Sequence, residues 1–217
     1  GYRAFQNFCL RQIAALIPFD AGLISVGTIQ EGVPHGHDVL LDRRPPEFME
    51  SWERIKAEDR VAVTAMRDLD RTHAFDVEQG IFEGCEAALA HCRTWKVAHV
   101  MCTASIGAPS GLYRVMSLYR EDPKRPFSEA ERAAKELIVP HLFAAARQAR
   151  LGQLRGAMHR SSAGHGYATA ILSEQGLVLE AEPSFVEILR TELPTFHGPW
   201  LPKPLWSQLR GAAEIER

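Results

Sequence analysis

No stretch of this chain approaches the ~20 consecutive apolar residues needed to cross a bilayer, and no apolar run follows basic residues at its start. A basic excess of the kind that carries phosphate contacts is also missing: 25 Lys and Arg stand against 27 Asp and Glu, for a net charge of −2. Only four cysteines occur in 217 residues, none in a C-x-x-C pair. That is too few for a disulfide scaffold and points to a reducing cytoplasm. Enzyme signatures are absent as well, with no G-x-S-x-G elbow, P-loop, G-x-G-x-x-G turn or H-E-x-x-H pair. What remains is a chain with 46% apolar and 24% charged residues, an ordinary globular composition of α/β (α+β) type.

The apolar spacing supplies the order of elements. Phe5, Phe8, Cys9, Ile13 and Leu16 recur at helical steps until Pro18 stops them. Residues 21–30 (AGLISVGTIQ) read as a strand, 31–38 (EGVPHGHD) as its hairpin connection and Val39–Leu41 as a short partner strand. Pro45-Pro46 opens a helix to about Lys56, and Asp59 caps a second one from Arg60 to Met66. Residues 67–80 are polar and irregular, with at most a short strand at 74–77, and helical spacing returns from Ile81 to Trp95. Residues 97–106 and 112–120 are two strands joined by Gly107–Gly111, where Ser110 reads as a loop serine without a base to activate it.

Ser128-Glu129-Ala130-Glu131 is a capping box and the strongest local signal in the sequence. The apolar stripe behind it continues for roughly 28 residues, with a kink expected at Pro140. At ~1.5 Å per residue this helix is longer than a small domain is wide, so part of it should meet a partner. A Gly/Ser/His linker follows. Then come a hairpin about Gln175-Gly176, a helix from Pro183 and a rigid turn at Gly198–Pro202.

Several of these segments resemble the sensory half of LuxR-type transcriptional regulators, in which a GAF-like domain precedes a PAS-like one. The resemblance is carried by Leu16-Ile17-Pro18-Phe19-Asp20, Met116-Ser117-Leu118-Tyr119-Arg120, Arg125-Pro126-Phe127-Ser128-Glu129 and Pro140-His141-Leu142. Ala170-Ile171-Leu172, Gly176 and Ala181-Glu182-Pro183-Ser184-Phe185 resemble the opening of a PAS domain. It implies a GAF-like antiparallel sheet of six strands flanked by helices, a long exit helix, then a partial PAS-like hairpin and helices. The corresponding domains are 1–155, a linker 156–166, and 167–217. It further implies a small-molecule pocket on one sheet face, dimerisation through the first and last helices, and contact with DNA only through a helix-turn-helix domain absent from this chain.

On that frame the strand 97–106 has two unlike faces. Ala98, Val100, Cys102, Ala104 and Ile106 suit packing against helices. His99, Met101, Thr103 and Ser105 mix polar and apolar chemistry, as a ligand floor does. Tyr113, Ser117 and Tyr119 are the matching set on the next strand, and Trp52 and Trp95 lie on helices that should cover the sheet. Leu137, Ile138, Leu142, Ala145 and Ala149 are expected in or beside a homodimer seam.

Metal and redox chemistry have thinner support. His35-Gly36-His37 reads as a solvated loop, and His91 and His99 as ordinary histidines near the pocket rather than haem ligands. Cys85 and Cys92 share a helix face and read as core. No cofactor or metal is therefore called for. The sequence reads as a non-catalytic, cytoplasmic sensing module, the alternative being a haem-bearing or redox-cysteine sensor or small enzyme on the same fold.

Overall fold

The computed structural model describes residues 2–107, 111–159 and 168–215; Ser110, residues 160–166 of the expected linker and Tyr167 lie outside the described residues. The chain divides into two compact units, 1–106 with 113–146, and 107–112 with 147–217.

The first unit begins with α1 (Tyr2–Leu16), β1 (Ala21–Gln30) and β2 (Val33–Asp42). Glu31 and Gly32 both take positive φ, 52° and 80°, which makes the tight turn that matches strand twist. The connection is therefore two residues long, and the stretch expected as a loop is strand. Pro34 is tolerated because β2 is the sheet's edge. Register shifts after Val26, leaving His37 as the extra residue of a bulge. A Cβ at Gly27 would lie 2.3 Å from the His35 carbonyl oxygen, so only glycine allows this approach.

Next come α2 (Glu47–Ile55), a single 3₁₀ turn, and α3 (Arg60–Arg67), where the Asp59 carboxylate accepts from Ala62 N at 3.0 Å. β3 (Thr72–Asp76) is a full edge strand within the expected loop. α4 (Glu86–Thr94) starts later than the apolar spacing indicates, because Gly80 and Gly84 adopt positive φ of 94° and 75° and interrupt the helical path. β4 (His99–Gly107) and β5 (Leu112–Arg120) complete an antiparallel sheet in the order β2-β1-β5-β4-β3. Among the described residues it has five strands, not the six implied by the resemblance.

Helices cover both faces of this sheet. On one, Leu23, Val100, Cys102 and Val115 pack with Phe48, Ala65, Ala88 and Cys92 from α2–α4. On the other, Ile24, Met101, Met116 and Leu118 pack with Leu10 and Ile13 of α1 and Val139 and Phe143 of α5 (Glu129–His159). The capping box forms as read: Glu131 N donates to Ser128 Oγ at 3.2 Å, and Glu131 Oε2 accepts from Ser128 N at 2.8 Å. Arg120 secures the same end, donating to the Pro18 and Pro126 carbonyls at 2.7 and 2.8 Å and pairing with Glu131. Pro140 lies inside α5 and does not end it.

One residue on α5 departs from the expected apolar face. Lys135 is 1% exposed, and its ammonium donates to Thr103 Oγ1 at 2.6 Å and the Met116 carbonyl at 2.9 Å. Leu137, two residues on, is 73% exposed.

The second unit holds β6 (Ala170–Leu172) and β7 (Val178–Ala181), a hairpin through Gly176, followed by α6 (Pro183–Glu192) and α7 (Lys203–Ile215). Val178, Val186, Leu189, Phe196 and Leu201 form its core. Gly176 is required there, since a Cβ would lie 2.9 Å from the Trp206 ring at an already positive φ.

Candidate functional site

Between the α2–α4 layer and the sheet lies a cavity with about 850 Å3 of empty space, its opening included. The residue types explain why it is not filled. Ala62 and Ala88 face it from the helices, and Ser25, Gly27 and Ser117 from the sheet, so the interdigitation of a dense core is interrupted. Phe48, Met49, Trp52 and Ile55 of α2 form an apolar wall, and Val100, Cys102 and Val115 a floor. The result is an apolar chamber with a few polar groups, the composition typical of small-molecule sites.

Asp59, Ser117, Tyr119 and His91 are among those polar groups. Trp52 Nε1 donates to Asp59 Oδ2 at 2.7 Å while Oδ1 caps α3. Burial pushes the Asp59 carboxyl above its usual range, and the bonds from Trp52 and the backbone oppose that rise. His91 meets Ser51 through Nδ1 at 2.9 Å. Burial, then the Arg44 and Arg54 cations, bring its pKa down to about 4, so the ring is neutral near pH 7. Burial likewise pushes the Tyr119 hydroxyl well above the ordinary phenol value.

The thiols show the reverse of activation. All four cysteines are unpaired and buried. Burial and the Asp59 and Glu78 carboxylates push Cys92 up to about 12, whereas reactive thiols have lowered values. Cys102 is raised by burial and accepts a 3.4 Å contact from Ser117 Oγ.

Of the residues singled out from sequence, Trp52, Ser117 and Tyr119 line this cavity. Trp95 stands behind its wall, donating from Nε1 to Ser51 Oγ at 2.8 Å with its ring edge-on to Phe48. Tyr113 packs on the same side of the sheet, outside the lining. His99, Met101 and Thr103 are not in the cavity, and the expected faces of β4 are reversed. Met101 belongs to the α1/α5 cluster, and Thr103 bonds Lys135 and Thr72. His99 lies 3.2 Å from the Pro123 carbonyl and 3.7 Å from Asp76. Strand alternation puts Thr103 on the same face as Met101, where its hydroxyl serves the Lys135 ammonium as an acceptor. Ile106, expected to pack under helices, is exposed.

His35 lines the cavity near Lys56, whereas the bulge turns His37 toward Thr28, so the pair does not converge. Among the described residues no group of three or more His, Cys, Asp or Glu is placed to hold a metal. Asp59 and Phe48 were legible only as a helix cap and an apolar helix face. Ser51 gave no signal in the sequence.

Of the expected seam residues, Leu137 and Ala145 are exposed, and Ile138 is half-buried. Leu142 is half-buried against the α1/α5 cluster, and Ala149 is half-buried in the second unit.

No protein-family model and no curated protein sequence matches the chain. Solved structures do match. Escherichia coli SdiA aligns at 12% identity over 90% of this chain and 73% of that one, with a TM-score of 0.52. SdiA in complex with octanoyl-rac-glycerol gives 12% identity, 90% and 71% coverage and a TM-score of 0.53. CepR2, an N-acylhomoserine-lactone-dependent LuxR-family transcription factor from Burkholderia cenocepacia, aligns at 13% identity over 67% of this chain and 84% of its own, with a TM-score of 0.49. The structural neighbours are thus LuxR-type ligand-binding domains and GAF domains at low sequence identity. The fold likeness rests on the SdiA structures. Among the described residues no helix is long and apolar enough to cross a membrane.

Proposed function

We propose that this chain is the ligand-sensing, dimerising module of a cytoplasmic transcription regulator. It has no catalysis of its own and reaches DNA only through a domain outside this chain. The observation that carries this reading is the apolar cavity between the sheet and α2–α4, walled by Trp52 and floored by Cys102, Ser117 and Tyr119. The fold likeness to SdiA supports it, since that protein is seen in complex with the amphiphile octanoyl-rac-glycerol. The domain division that goes with it is a sensor over 1–155 and a smaller PAS-like unit from 167 onward.

The homodimer is proposed to form along α1 and α5. Phe8, Leu16 and Leu137 are 50%, 65% and 73% exposed on these two helices, large apolar side chains left facing water. Ile138, Leu142, Ala145 and Ala149 would lie in or beside the seam.

The ligand reading is tested by mass spectrometry of small molecules released on denaturing the purified protein, together with a thermal shift on adding octanoyl-rac-glycerol. Release of an apolar small molecule, or a shift, is expected from the unaltered protein and should be lost in Ala88→Trp, which fills the chamber. The same behaviour in both proteins, or neither signal in the unaltered one, would overturn it.

A further inference from the structure

Ser51 stands where three polar groups meet. Its oxygen is 2.9 Å from the Phe48 carbonyl, 2.9 Å from His91 Nδ1 and 2.8 Å from the Trp95 indole nitrogen. A serine hydroxyl has one proton to give and two lone pairs to receive with. The Phe48 carbonyl can only accept, and the indole can only donate. All three contacts are hydrogen bonds together in just one arrangement: Ser51 donates to Phe48, while Trp95 and His91 Nδ1–H donate to Ser51. The relay therefore fixes the histidine tautomer and leaves Nε2 as a bare lone pair.

His91 lines the cavity, and among the described residues Nε2 has no hydrogen-bond partner. Three neighbouring donors are already committed, the Trp52 indole to Asp59, the Trp95 indole to Ser51 and the Ser117 hydroxyl to Cys102; the Arg44 guanidinium, 5.8 Å from the Phe48 ring centre, has Nε and Nη2 without a partner among the described residues. The hydroxyls of Ser25 and Tyr119 can serve either role.

We infer that His91 Nε2 is the specificity-determining acceptor of the cavity, selecting an uncharged, mainly apolar ligand through a hydroxyl or N–H that the ligand donates to it. This rests on the cavity being a ligand site. Charges of both signs border the site, the Asp59 carboxylate in the lining and the Arg44 and Arg54 cations acting on His91, so neither an anion nor a cation meets a one-sided attraction. A cation would find that carboxylate already holding Trp52 and Ala62.

The test uses 4-hexylphenol and its methyl ether, a pair in which a methyl group replaces the donor proton, titrated calorimetrically into the whole chain. The phenol should bind the unaltered protein about three- to tenfold more tightly, the range for one neutral hydrogen bond. His91→Phe keeps a ring against Phe48 and should bring the ratio to about one while the ether still binds. Ser51→Ala removes the group that fixes the tautomer and should lower the ratio. Nitrogen NMR of the unaltered protein with labelled histidine gives a readout independent of either variant. It should show His91 protonated at Nδ1 and bare at Nε2, with the Nε2 signal moving when the phenol is added. Equal binding of both probes, a preference that survives in His91→Phe, or a protonated Nε2 would overturn the role of His91. Binding of neither probe by the unaltered protein would instead remove the cavity reading on which it rests.

Discussion

Replacing Lys135 by methionine is expected to stabilise the protein below neutral pH and to flatten its dependence of stability on pH. The side chain is fully buried, and among the described residues no carboxylate pairs with it; its contacts are the Thr103 hydroxyl and the Met116 carbonyl. Burial brings its pKa down from 10.5 to about 7. Keeping the ammonium charged in the fold then costs about 5 kcal/mol, at ~1.4 kcal/mol for each tenfold change in proton affinity. The unfolded chain holds this proton up to the ordinary lysine range, while the folded one releases it near neutrality. Stability therefore rises with pH between those limits, by about 3 kcal/mol from pH 6 to pH 9. Methionine removes the charge but leaves the Met116 carbonyl without the ammonium, a loss of about 1–3 kcal/mol. The net expectation is a variant about 3 kcal/mol more stable at pH 6 and level with the parent near pH 9. Urea unfolding at pH 6, 7.5 and 9 measures this. In a Trp200→Phe, Trp206→Phe background the signal comes from Trp52 and Trp95, both in the first unit. Parallel curves, with a gap that stays constant across the three pH values, would refute the reasoning.

Two further outcomes are expected. Leu137→Glu and Ala145→Glu each place like charges from two chains in the proposed seam, so sedimentation velocity should show a dimer shifted toward monomer. An unchanged dimer, or a monomeric parent at micromolar concentration, would count against the seam. With Cys92 pushed up to about 12 and all four thiols buried, a thiol reagent at pH 8 should titrate none of them in the native protein and four after denaturation. Rapid reaction of one native thiol would revive a redox-sensing role.

Local chemistry was legible wherever neighbours in sequence decide it. The Ser128–Glu131 box, the Asp59 cap and the strands β1 and β5 follow from side chains a few positions apart. Long-range choices were not. β2 carries Pro34, Gly36 and two histidines, a loop-like composition that an edge strand accepts because one side of its backbone faces no partner. β4 is buried on both faces from His99 to Ser105, so alternation of polarity could not tell the cavity side from the side that receives Lys135. That lysine sits next to Ala133 and Ala134 and carried no signal in the sequence; only the placement of Thr103 and Met116 across the layer makes its burial possible. The reversed faces of β4 and the hidden lysine are thus one missed fact.

The strand order also governs how this molecule must come into being. The hairpins β1–β2 and β4–β5 each close over short loops, but the sheet becomes one body only where β1 meets β5. Pro18 and Arg120, joined at the end of that seam, are 102 positions apart in the chain. Until β5 has left the ribosome, β1 has an unpaired edge rich in apolar residues, the kind of template on which nascent chains pair wrongly. Any shortened product ending before Leu112 carries that open edge permanently. Joining the two hairpins is then the late, slow step of folding, because the closure entropy of a long intervening segment must be overcome before the contacts that offset it exist.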